Sequence, residues 1–208
     1  MLRFARWVVR RRTVLDGSMA HELLIAADEG KLAHDECPPL LVDYIAPSLD
    51  TTISAISNAL HLFATHHEQW EMLRAEPHRI PNAVNEVIRY EAPLRAFARQ
   101  SREETEIAGC PIPAGARVLV IYASANRDEH EWDRPDEFDI TRDAGRHIGF
   151  GHGTHACAGQ GLARMETAAL LSALVDRVSH IEALGQPTWA VNNIIRRHKR
   201  LPLKLVAA

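Results

Sequence analysis

Residue types able to do chemistry crowd the run Phe150-Gly-His-Gly-Thr-His-Ala-Cys157-Ala-Gly159. Directly after it, Leu162, Met165, Ala169, Leu170, Ala173, Leu174 and Val178 recur at steps of mostly three and four, the spacing of a long amphipathic helix. A cysteine at a helix N-terminus lies near the positive end of the dipole and beside free amide hydrogens. That setting favours an anionic sulfur, which is a nucleophile or a metal ligand. Gly151, Gly153 and Gly159 permit a tight turn and leave a face bare of side chains, against which a flat ligand can lie. A lone cysteine before a helix is more often a buried apolar thiol; the surrounding glycines and histidines tell against that here. Three chemistries stay open. Zinc could be held by His147, His152, His155 and Cys157, Cys157 could be a nucleophile with a histidine base, or its thiolate could be an axial ligand to haem iron.

Two further constellations lie upstream. Glu86 and Arg89, in Glu-Val-Ile-Arg, are three apart, the spacing of an intrahelical ion pair. Alone, such a pair is most often a solvated contact of little value. Asp50-Thr51-Thr52 sets an acid and two hydroxyls inside an apolar helical stretch, where a threonine most often bonds back to its own helix.

The elements that must position these groups follow from periodicity. Leu41, Ile45, Leu49, Ile56, Leu60 and Phe63, with Thr52 in the one polar gap, predict a long, largely buried helix over 40–63 after the Pro38-Pro39 start. Pro47 lies inside it, removes a backbone donor and crowds the carbonyl of Asp43, so a kink is expected at 43–47. Shorter helices are expected over 68–75 and 82–91, the second stopped by Pro93. Strands are expected over 105–107, 117–122 and 203–206, and a long irregular loop over 128–146. The whole reads as mainly α with a small β component, an α+β fold.

Composition bounds the rest. The 208 residues carry 24 Lys plus Arg against 27 Asp plus Glu and are 46% hydrophobic, the profile of a soluble globular chain without a basic face for nucleic acid. No apolar run approaches the roughly 18 residues of a membrane span. Cys37, Cys110 and Cys157 are odd in number and scattered, which points to a reducing, cytoplasmic compartment. Arg3, Arg6, Arg10, Arg11 and Arg12 precede the first acid, Asp16; this is either a transit peptide or, preferably, the solvated side of an amphipathic helix.

Phe150-Gly-x-Gly-x-His-x-Cys157-x-Gly159 followed by Leu162-Ala-Arg164 resembles the haem-binding loop of the cytochrome P-450 family, the haem-thiolate monooxygenases. Glu86-x-x-Arg89 and Asp50-Thr51-Thr52 resemble two more of its signatures, in the family's order. The resemblance runs from about Gly17 to Val206 and is of the soluble bacterial type, so residues 16–208 read as the C-terminal haem-binding half of a single domain, with 1–15 unlike any family segment.

The resemblance implies Cys157 as the iron ligand, with Phe150, Gly151 and Gly159 shaping the loop and His155 and Arg99 on the haem propionates. Thr51 resembles the threonine that hydrogen-bonds the oxygen being activated, with Asp50 relaying protons. Leu49, Leu94, Phe97, Ile194 and Ile195 align with the lining of the substrate pocket. Glu86 and Arg89 are implied to be buried beneath the cysteine loop. Two departures stand out: Glu137, in Pro135-Asp-Glu-Phe138, replaces the arginine that completes this network, with Arg134 and Arg142 as substitutes, and Pro47-Ser48 replaces small residues beside the oxygen groove.

Family members run to about twice this length, so two functions are weighed. One is a monooxygenase with haem b (iron protoporphyrin IX), oxygenating a small hydrophobic organic substrate with molecular oxygen and electrons from NAD(P)H delivered by a ferredoxin reductase and a ferredoxin, docked near Arg146 and Arg164. The other is a truncated remnant without turnover; a zinc-binding domain is more remote. No nucleic acid partner and no membrane anchor in this chain are expected.

Overall fold

A computed structural model describes residues 1–12 and 14–208, which form two compact units, Met1–Asp50 and Thr51–Ala208. The first unit begins with α1 (Leu2–Arg11), which buries only Ala5 and leaves Phe4 and Trp7 exposed. Arg12, in the left-handed conformation at its end, donates two hydrogen bonds to Asp28 at 2.8 and 2.7 Å, reaching α2 (Met19–Asp28). Ser18 caps α2 by accepting from the His21 amide.

The next helix, α3 (Cys37–Thr65), is longer at both ends than the periodicity of 40–63 indicates. Pro38 and Pro39 sit in its first turn, where no amide donor is needed. Pro47, where a kink is expected, lies inside the helix, which runs on through it with one donor lost. Next to it, the Ser48 hydroxyl donates to the Ile45 carbonyl at 2.8 Å. The expected burial also needs correction. Leu41, Thr52 and Phe63 are buried, but Ile45 and Leu49 are exposed, and the enclosed stripe further along is Ser54, Ala55, Asn58, Ala59 and Leu62.

The second unit continues with α4 (His67–Ala75) and α5 (Ile80–Tyr90), the latter ending at Glu91 two residues before Pro93. Four two-stranded antiparallel sheets follow the chain. β1 (Phe97–Gln100) pairs with β4 (Arg117–Val120), with β2 (Thr105–Ile107) and β3 (Cys110–Ile112) forming a hairpin between them. The strand expected over 117–122 stops short, because Tyr122 opens the one-turn α6 (Tyr122–Ala125). Residues 126–152 are irregular, and α7 (Gln160–Val175) starts after the glycine loop.

Val178, which continues the helical spacing, instead begins β5 (Val178–Ala183), since α7 stops at Asp176. β6 (Thr188–Trp189) pairs with β7 (His198–Arg200), and β5 pairs with β8 (Leu203–Ala207).

One core serves this unit. Phe63, Trp70, Leu73, Val84, Val87, Ile88, Ile140, Leu171 and Ile181 are all almost fully enclosed in it. Each such side chain contributes about 1.5–3 kcal/mol through burial. Phe63 packs edge-on against Trp70 and Phe138, both at 5.5 Å. The amphipathic α5 and α7 pack against each other across this core, and that contact fixes the loop entering α7 over α5.

Candidate haem-thiolate site

The glycine loop is shaped by close approach to α5. A Cβ built on Gly149 would lie 2.6 Å from Ile88 Cγ2, so only glycine lets this backbone lie against the helix. Gly151 has φ +72°, in the left-handed region that side chains avoid. The Cys157 amide donates to the Phe150 carbonyl at 2.8 Å and closes the loop on itself. Gly159 then occupies the N-cap of α7, and Cys157 is exposed at its mouth. Phe150 packs on the core and lies under the Arg164 guanidinium, 4.3 Å from its ring centroid. His155 and His152 are exposed in the same loop.

Beneath the loop lies a charged network. Glu86 and Arg89 are completely enclosed and joined at 2.7 and 2.8 Å. Arg89 also donates to the carbonyls of Asn126, Pro135 and Glu137, at 2.9, 2.9 and 3.0 Å. Glu86 accepts from the Asp139 amide at 3.0 Å and from Arg142 Nε at 3.4 Å. Arg142 therefore takes the third position, holding the carbonyls of Asp133, Arg134 and Glu137 with its other nitrogens. Arg134, the other substitute, pairs at the surface with Glu137 at 2.5 Å. The network reaches the glycine loop through Asn126, whose side-chain oxygen accepts from the Ile148 amide at 2.9 Å.

His147 is buried in the approach to the loop. Its Nδ1 accepts from the Gly149 amide at 3.0 Å, and burial aided by the nearby Arg164 and Arg89 charges pushes its pKa down to about 4. With Nδ1 accepting from the amide, the ring's proton sits on the buried Nε2, so in this arrangement neither nitrogen has a lone pair free for zinc. Among the described residues no group of three or more His, Cys, Asp and Glu is placed to hold a metal ion.

Arg99, on β1, is brought to the loop by a residue that sequence reasoning missed. Its guanidinium donates to the Tyr122 hydroxyl at 3.0 Å, and that oxygen lies 4.0 Å from the Cβ position of Gly151. The sign in the sequence is only that Tyr122 follows the strand paired with β1. Phe97 stands 6.4 Å from the Tyr122 ring. Leu94 bridges to Ile195, and the Arg95 amide donates to the Ile194 carbonyl at 3.0 Å, so three of the expected pocket residues meet. Leu49, Asp50 and Thr51 are consecutive on α3, Leu49 exposed and Thr51 half-buried.

The family model described as Cytochrome P450 matches residues 8–199. The chain belongs to the cytochrome P450 family. Cytochrome p450 CYP199A2 of Rhodopseudomonas palustris is 38% identical over 182 residues, covering 88% of this chain and 44% of the relative. The 6-deoxyerythronolide B hydroxylase of Saccharopolyspora erythraea is 34% identical over 204 residues, covering 95% and 50%. Among solved structures, that of CalO2 superposes with a TM-score of 0.91 at 28% identity, covering 99% of this chain and 52% of that one. The chain thus spans about half the length of these P450 relatives. No helix among the described residues is long and apolar enough to cross a membrane.

The residues present fit the family's haem. An exposed cysteine sulfur at a helix start, a loop whose glycines admit a close flat neighbour and a cation carried to that loop are a donor set for iron and for a propionate.

Proposed function

We propose that this chain forms the haem-binding half of a P450 monooxygenase that oxygenates a small hydrophobic organic substrate. Cys157 would hold the iron, and Arg99 and His155 the propionates. Haem, when bound, supplies the redox-active iron at which molecular oxygen is activated. The Glu86–Arg89–Arg142 network keeps the loop rigid, so that Cys157 is presented in one position. Asp50 and Thr51, consecutive on α3, are assigned to hold and pass a proton, with the Thr51 hydroxyl as donor. Leu49, Leu94, Phe97, Ile194 and Ile195 would contact an apolar substrate and exclude water. Electrons would come from NAD(P)H through a ferredoxin reductase and a ferredoxin in the cytoplasm, the latter attracted by arginines such as Arg146. The hydroxylase named among the relatives supports oxygenation as the reaction class.

The exposed Cys157 in its glycine-shaped loop is the observation that carries this reading. The test is the absorbance of the reduced, haem-supplied protein under carbon monoxide, where a thiolate ligand gives a long-wavelength Soret band. Cys157→Ser is expected to abolish the band. Cys37→Ser and Cys110→Ser are expected to leave it, as one thiol is enclosed against the Leu23 carbonyl and the other stands on the β2–β3 hairpin. A wild-type protein that takes up haem without the band supports the inactive remnant instead.

A further inference from the structure

Away from the cysteine loop, a cluster of rings joins α3 to the β6–β7 hairpin. His198 on β7 stacks on Trp189 of β6, with centroids 3.9 Å apart and planes at 29°. The guanidinium of Arg196 lies 3.3 Å from the Trp189 centroid and donates to Glu91 at 2.9 Å. From α3, His61 meets the His198 ring edge-on at 5.0 Å and Trp189 at 6.2 Å, and the Ser57 hydroxyl lies 3.4 Å from His198 Nδ1. His61 Nδ1 and His198 Nε2 are both buried and have no hydrogen-bond partner in the structure.

This cluster stands at the base of the turn that carries Ile194 and Ile195. Asn192 Oδ1 accepts from both of their amides at 2.8 Å, and the turn is stitched to residues 93–95 by the Arg196 amide on the Pro93 carbonyl and the Arg95 amide on the Ile194 carbonyl. On the far side the hairpin, through His198 and Trp189, meets the His61 imidazole of α3. We propose that His61 and His198 are positioning residues, a clamp of neutral rings that holds the Ile194–Ile195 turn in place for substrate and releases it in acid. The role given to substrate rests on the functional reading above.

The charges around the clamp make it one-directional. Arg196 on the hairpin opposes a proton on both rings, His66 at the start of α4 opposes one on His61, and His61 opposes one on His198; Glu91, already held by Arg196, favours one on His61. Burial is the larger cause; together with these charges it pushes His198 down to about 4 and His61 in the same direction. Opening the hairpin gives both rings to water, where an imidazole takes its proton near pH 6.5. Acid therefore favours the open hairpin over the closed one.

Hydrogen exchange of residues 188–200 in the full chain tests this. Corrected for the intrinsic effect of pH, exchange of this segment is expected to rise about tenfold or more between pH 7 and pH 5. The β1–β4 hairpin, which contains no histidine in its strands, serves as the internal reference and should not follow. His198→Phe keeps a ring on Trp189 and is expected to remove most of the rise. Should that variant fail to fold, NMR titration of the His198 imidazole in the unaltered protein decides, with a midpoint near 4 expected. A midpoint near 6.5, or a 188–200 segment no more acid-sensitive than β1–β4, overturns the clamp. Neither readout needs bound haem. An acid-opened hairpin in a chain without the thiolate band would sink the monooxygenase reading alone, and a flat exchange profile in a chain with the band would sink the clamp alone.

Discussion

Glu86 and Arg89 carry opposite charges into a region without exposure, which is tolerable only because every part of both groups is met by a partner. Removing one leaves the other stranded. Arg89→Leu is expected to cost about 3–5 kcal/mol of stability, measured as a lowered urea midpoint. Glu137→Ala is expected to stay within about 0.5 kcal/mol of the parent, because Glu137 gives the network its carbonyl while its side chain lies at the surface on Arg134. A Glu137 variant as damaging as Arg89→Leu would refute this division. At this scale, what could be read from the sequence was what lies close along it. Cys157 beside its glycines and Glu86 three residues from Arg89 announce themselves by spacing. Asn126 and Tyr122 do not, since each works on a partner 22 or more residues away, Asn126 on Ile148 at 22 and Tyr122 on Arg99 at 23, and Arg142, 56 residues from Glu86, is offered by the sequence only as one of two substitutes.

Between elements, the glycine loop lies directly against α5. Gly149→Ala would place a methyl group 2.6 Å from Ile88 Cγ2 of α5, with His147 Nδ1 at 3.2 Å and the Ile88 carbonyl oxygen at 3.3 Å, so relief requires the helix or the loop backbone to shift. An overpacking cost of about 1–3 kcal/mol is expected, with a weakened thiolate band in the haem-supplied variant. An unchanged melting temperature would show that the loop does not depend on this approach. Long helices were legible because their period repeats many times, as in α3 and α7. Of the strands, those starting at Thr105, Arg117 and Leu203 were legible, but β1, β3, β5, β6 and β7 were not, since strands of two to six residues have little room for a pattern and hold their place through partners elsewhere in the chain. Val178 shows the limit: its spacing suits α7, but the chain has already turned at Asp176 and the residue is enclosed as the first of β5.

For the molecule as a whole, buried imidazoles set the response to acid. His147 and His198 stay neutral in the folded chain down to about pH 4, whereas in the unfolded chain they take up protons below about 6.5. The unfolded state thus binds more protons in this window, and stability is expected to fall as pH drops from about 6.5 towards about 4. Each group contributes at most about 1.4 kcal/mol per pH unit, with less from the half-exposed His198. Urea unfolding at pH 7 and pH 5 measures the loss, and His147→Asn should reduce it; equal losses in both proteins would place the acid sensitivity elsewhere. The buried ion pair bears on something else, the order in which the chain assembles. Glu86 and Arg89 can meet as soon as α5 forms, but the carbonyls that receive Arg89 lie 37 to 48 residues further along. Until that length of chain has looped back, the pair must stay hydrated and the core around it open. Its desolvation is then a checkpoint in folding: a chain wrapped wrongly around α5 keeps water at its centre and cannot lock into the native packing.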